Sequence, residues 1–123
     1  MHQRSYLGKE GEETVARKLV QEGFTILARN YRKQDGEIDL IASKKDLLVF
    51  VEVKMRQQEY FDLGSVITPS KQRKIIAVAK HYIATRCNQE QSYRFDVALL
   101  QTTNNGLELT YIPNAFNEGN CTW

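Results

Sequence analysis

Residues 36–56 read GEIDLIASKKDLLVFVEVKMR, two runs of strand-forming residues joined by a short charged turn at Lys45 and Asp46. From Leu47 to Val53 the residues are almost continuously apolar and β-branched, as in a strand buried on both faces. Asp39, Glu52 and Lys54 stand inside these runs, where apolar side chains are expected. Burying a carboxylate there without a partner is costly, so Glu52 requires a cation, a hydrogen-bond network or a function. A hairpin turning at Lys45 and Asp46 sets Asp39 opposite Glu52, with Lys54 on the same face because strand side chains alternate. Lys-Asp is not a favoured hairpin turn, and a slip of one residue would send Asp39 to the other side.

The chain around this hairpin has 123 residues, the size of one domain, and residues 1–123 are read as a single unit without repeats or linkers. An apolar share of 41%, with six tyrosines, five phenylalanines and one tryptophan, excludes a disordered chain. The net charge of +2 is too small to indicate a partner, so a nucleic-acid partner must be argued from where the basic residues fall. Cys87 and Cys121 lack metal-ligand spacing and read as free thiols of a reducing compartment. Neither a signal-peptide core nor a membrane-length apolar run is present, so the expected location is cytoplasmic, with no membrane partner.

Residues from about Tyr6 to Glu22 read as a helix ended by Gly23, with Val15, Ala16, Leu19 and Val20 as its apolar stripe. Leu19 projects within about 20° of Glu12 on such a helix, which places Glu12 on the buried stripe. A carboxylate favoured by the helix N-terminus and paired with a basic neighbour is the alternative role for Glu12. FTILARNYR suits a first strand, followed by a turn at Gln34, Asp35 and Gly36. Its basic end, Arg29, Arg32 and Lys33, fits a solvated strand end or a phosphate contact.

Gln57 to Ile67, with Tyr60, Phe61 and Gly64, read as a loop. Thr68 and Pro69 then start a helix running to about Cys87, with Ile75, Ile76, Val78, Ala79, Tyr82 and Ile83 as its apolar positions. Lys71, Arg73 and Lys74 in its first turns oppose the helix dipole, which suits an anion such as a phosphate, or simply an exposed basic face. His81 has no partner histidine at ligand spacing. Tyr93–Leu100 and Leu107–Ile112 read as strands joined at Asn104, Asn105 and Gly106. Asp96 reads as a structural ion pair or hydrogen bond. Pro113 is expected to end the last strand, leaving about 113–123 as a loosely packed tail.

Two facing carboxylates repel, and a hard divalent cation relieves them. Mg²⁺ or Mn²⁺ could take oxygen from Asp39, Glu52 and a backbone carbonyl near Val53, with Glu12 binding a second ion or orienting a water if its helix crosses that face. Lys54 could stabilise charge at phosphorus or position the attacking water. These parts suit phosphodiester hydrolysis.

Asp39 followed by Glu52-Val53-Lys54 resembles the D…ExK signature of the restriction-endonuclease-like, or PD-(D/E)XK, superfamily, with Ile38 before Asp39 in place of proline. GEE and VARKL at Gly11–Leu19, then GF, ILARNYR, GEIDLIA, LVFVEVK, VITPSKQRKI and RFDV, resemble the YraN-like family of small bacterial proteins. That family is related to archaeal Holliday-junction resolvases, and its biological role is unassigned. The resemblance implies an α/β fold with a restriction-endonuclease-like core: helix, three strands, helix, then strands, in a central mixed sheet flanked by helices. It implies Glu12, Asp39, Glu52 and Lys54 as the nuclease-type site.

Three readings follow. The first is a Mg²⁺-dependent endonuclease acting on DNA, branched DNA included, as a homodimer, with Arg32, Lys71, Arg73 and Lys74 on backbone phosphates. The second is a nucleic-acid binding domain that keeps the fold without catalysis. The third is an interaction domain in which Asp39, Glu52 and Lys54 form a buried ion-pair network.

Overall fold

The structure, a computed structural model, describes residues 6–34, 36–56, 67–86 and 91–118. Helix α1 (Tyr6–Gln21) is followed by strands β1 (Thr25–Lys33), β2 (Gly36–Lys44) and β3 (Leu47–Arg56). Helix α2 (Pro69–Arg86) then leads to β4 (Ser92–Thr103) and β5 (Gly106–Phe116). The strands form one sheet in the order β1-β2-β3-β4-β5, antiparallel except where β3 and β4 run parallel. A parallel neighbour needs a crossover, and α2 supplies it. Expected element order and mixed sheet are both found.

Helices α1 and α2 cover opposite faces of the sheet. Val15, Ala16 and Leu19 of α1 pack with Leu40, Ala42, Val49, Val51, Ala98 and Leu100. Ile75, Ile76, Val78, Ala79 and Tyr82 of α2 pack with Ile41, Leu48, Phe50, Phe95 and Val97. The sorting follows strand alternation in β3, whose even residues face α2 and odd residues face α1. Each fully buried aliphatic or aromatic side chain contributes roughly 1.5–3 kcal/mol, and these two clusters hold the layers together. Among the described residues no helix is long and apolar enough to cross a membrane.

Local chemistry fixes the element ends. Gly23, at φ 98, ends α1, with the Phe24 N–H donating to the Leu19 carbonyl (2.9 Å) and the Gly23 N–H to that of Val20 (3.0 Å). Thr68 caps α2 as expected, its Oγ1 accepting the Lys71 N–H at 3.2 Å. The hairpin register also holds: Leu40 pairs with Val51 and Lys44 with Leu47, Lys45 taking a positive φ of 54 at the turn.

β5 requires a correction. Pro113 does not end it, and the strand continues to Phe116. Phe95 pairs with Phe116 but Val97 with Ile112, so residues 113–115 bulge opposite Asp96. Pro113 has no N–H to give, and Asn114, at φ 53, turns its own N–H onto Asp96 Oδ1 at 2.8 Å. A buried carboxylate thus carries the ladder across the proline. Phe116 is buried and stacks on Phe95 at 5.2 Å between ring centroids, so the chain here is core and not loose tail. The expected loop from Gln57, both cysteines and the last residues to Trp123 lie outside the described residues.

Candidate active site

The site forms where β2 and β3 part. Beyond Leu40–Val51, Asp39 turns its carboxylate inward, and Oδ2 accepts the Val53 N–H at 2.8 Å. Asp39 thereby stands in for a ladder partner at the hairpin's open end. Glu52, two residues after Phe50, points to the α2 face. Both acids are nearly buried, at 8% and 7% exposure. Cavities of about 350 and 400 Å³ flank them. Gly36, Thr68, Ser70, Lys74 and Ile75 line the first, Arg32, Val53 and Lys54 the second, and Glu37, Asp39, Glu52 and Lys71 line both.

Two ammonium groups face the acids. Lys71 Nζ, from the first turn of α2, lies 3.1 Å from Glu52 Oε2, and Lys54 Nζ lies 4.0 Å from the same oxygen. Burial and the adjacent Asp39 charge push the Glu52 carboxyl up to about 7, although both lysines act to lower it. Burial, aided by Lys71, holds Lys54 below its ordinary value. Burial is the largest single influence on Lys71 and would lower it, but the Glu52 charge, hydrogen bonds to Lys54 and Glu52 and the Asp39 charge together outweigh it, and Lys71 is raised.

The other residues singled out in the sequence are placed as follows. Glu12 is buried, 8% exposed, on α1, whose apolar residues pack against the opposite face of the sheet from Glu52. The idea that its helix crosses the Glu52 face is therefore corrected. Its neighbour Gly11 lies against Met55 and Leu100, which places this part of α1 over the C-terminal end of β3. Among the described residues no three His, Cys, Asp or Glu side chains are grouped to hold a metal ion. Val53 meets Asp39 through its N–H. Arg32 pairs with Glu37 at 3.1 Å on the rim. Arg73 and Lys74 border a further groove of about 620 Å³ with Lys33, Gln34, Gly36, Ser70, Ala77, Val78 and His81.

Sequence reasoning missed Lys71 as the direct partner of Glu52. Its signal was present, a cation opposing the helix dipole, but the anion it serves lies on another strand. Asp96 is structural, as expected. It is fully buried, and Arg94 grips it with two bonds of 2.8 and 2.9 Å while the Tyr111 hydroxyl donates at 2.5 Å. Burial and that bond raise Tyr111 above its usual range, and the Asp96 bond raises Arg94.

Among the described residues, a mixed five-strand sheet with helices α1 and α2 on its two faces is the restriction-endonuclease-like fold. The crystal structure of a Holliday junction resolvase from Archaeoglobus fulgidus shares it, with a TM-score of 0.53 over 83% of this chain and 72% of that one, at 16% identity. The chain belongs to the uncharacterised protein family UPF0102, the YraN family, which matches residues 11–100. UPF0102 proteins of Desulfosudis oleivorans and Nitrosomonas eutropha are 43% and 42% identical to it. The first match covers 95% of this chain and 94% of the relative, the second 91% and 94%.

Proposed function

We propose that the protein is a Mg²⁺- or Mn²⁺-dependent endonuclease that hydrolyses DNA phosphodiester bonds. The observation that carries this reading is the meeting of Asp39 and Glu52 at a solvent-reached pocket with Lys54 beside them. The donor set fits a hard divalent ion: two carboxylates, a pocket with room for water, and a Glu52 charge that the fold alone disfavours. Mg²⁺ ordinarily takes one or two carboxylates and completes its shell with waters and phosphate oxygens, so a third protein acid is not required. An ion held there supplies Lewis acidity toward a phosphate oxygen and the attacking water.

In this reading Asp39 and Glu52 hold the ion, and the Asp39–Val53 bond fixes its end of the pocket. Lys54 neutralises charge developing at phosphorus, its lowered proton affinity also letting it orient the water. Glu12, buried on α1, completes the site as a supporting acid. Arg73 and Lys74, with Lys33 in the adjoining groove, receive the phosphates of the strand, and Arg32 stands at the rim. The likeness to a Holliday junction resolvase supports branched DNA as a substrate, and the proposal takes a homodimer as the acting form. The test is cleavage of linear, nicked and four-way DNA with Mg²⁺ or Mn²⁺. Glu52→Gln should abolish cutting with its circular dichroism unchanged, and no cleavage of any substrate by the wild type would refute the reading.

The Lys71–Glu52 ion pair favours a second reading, an interaction domain with a buried charge network. Then Mg²⁺ would not raise the melting temperature, and Glu52→Gln would destabilise by about 3 kcal/mol by stranding two lysines.

A further inference from the structure

We propose that Lys71 is the resident counter-ion of the acid pair, the group a divalent cation must displace, and that once displaced it becomes the contact for an incoming phosphate oxygen. This rests on the reading of Asp39 and Glu52 as a metal site. Three features carry it.

Lys71 is closer to Glu52 Oε2 than Lys54 is, 3.1 against 4.0 Å, so it holds the oxygen that an ion would need. An ammonium and a doubly charged ion on one carboxylate oxygen repel, and in a half-dry pocket that repulsion is poorly screened.

The two lysines also differ in how they are held. Lys54 shares β3 with Glu52, so the strand fixes its base two residues away on the same face. Lys71 comes from a separate element, where its backbone N–H is fixed by Thr68 Oγ1 while its side chain is 39% exposed. Its base is anchored and its tip can swing.

Finally, there is room for the swing. Lys71 lines both cavities, so it borders the Thr68–Ser70 side as well as the Arg32–Lys54 side. Leaving Glu52, it still borders the space where a phosphate would enter.

The experiment is calorimetric titration of Mn²⁺ into the full chain as wild type, Lys71→Met, Lys71→Gln and Lys71→Arg, each checked for cooperative unfolding. Lys71→Met and Lys71→Gln should bind Mn²⁺ about tenfold tighter than wild type, since a competing unit charge is gone, and Lys71→Arg should stay near wild type. In a second titration, inorganic phosphate should bind Mn²⁺-loaded wild type several-fold tighter than loaded Lys71→Met, with no such difference before loading. Equal or weaker Mn²⁺ affinity in the neutral variants overturns the proposal while leaving the metal site standing. Failure of every form to take up Mn²⁺ overturns both.

Discussion

Lys71 Nζ of α2 and Glu52 Oε2 of β3 lie 3.1 Å apart, closing the crossover helix onto the acid of the central strand. The pair joins two elements far apart in sequence position, and it compensates only part of what burial costs Glu52, whose carboxyl still stands near 7 against an ordinary 4.5.

That imbalance has a measurable sign. A carboxyl whose folded value exceeds its unfolded one keeps a proton that the unfolded chain has already released. Its contribution is fully present below pH 4.5 and is lost as pH rises toward 7. The stability difference between wild type and Glu52→Gln should therefore fall by roughly 3 kcal/mol over that window. Urea denaturation of both proteins from pH 4 to 8 checks it, and saturating Mn²⁺ should flatten the decline because the ion favours the ionised acid. A difference that is constant with pH would contradict the assignment.

The same logic reaches Asp39. Asp39→Asn keeps an oxygen for the Val53 N–H but removes the charge that raises Glu52. It should cost little stability, about 0.5 kcal/mol, while moving the Glu52 midpoint down. Asp39→Ala strands the N–H and should cost about 1–3 kcal/mol. Carboxyl titration followed by NMR separates the two effects, and an unmoved Glu52 midpoint in Asp39→Asn would refute the coupling.

Much of this was legible in residues 36–56. Period-two alternation fixed the faces of β3, and the register followed from the turn even with an unfavoured Lys-Asp pair. Two features were hidden because they arise from single left-handed residues. Arg29 meets Glu13 of α1, yet Tyr31, two positions on, packs edge-on to Tyr82 of α2. Asn30, at φ 53, lies between them and turns the strand over. Asn114 does the same beside Pro113 in β5. Asparagine tolerates that conformation, but its identity alone does not reveal where it is used. Helical phase correctly put Glu12 on the buried stripe of α1, but phase shows that a residue is buried, not which side of a sheet buries it.

Asp96 should be among the most sensitive positions for stability. It is fully buried and accepts from Arg94, Tyr111 and the Asn114 backbone. Asp96→Ala leaves a cation and a hydroxyl unpaired and releases the bulge, at about 3–5 kcal/mol. Equilibrium unfolding checks this. Mn²⁺ affinity in whatever fraction remains folded should be unchanged, because Asp96 faces α1 and the acid pair faces α2.

Gly36 sets how closely α2 approaches the acids. A Cβ built there would lie 2.7 Å from Val78 Cγ2 and 3.2 Å from the Lys74 carbonyl oxygen, within the helix that carries Lys71. Gly36→Ala should therefore push α2 outward, costing about 1–3 kcal/mol by overpacking and loosening the Lys71–Glu52 pair. Val78→Ala removes the nearest atom and should itself cost about 1–3 kcal/mol through lost burial. The two changes together should cost less than their sum by about 1 kcal/mol, because the space left by one accepts the methyl of the other. A double-mutant cycle in urea measures that coupling, and strict additivity would mean that Gly36 is not what seats the helix against β2.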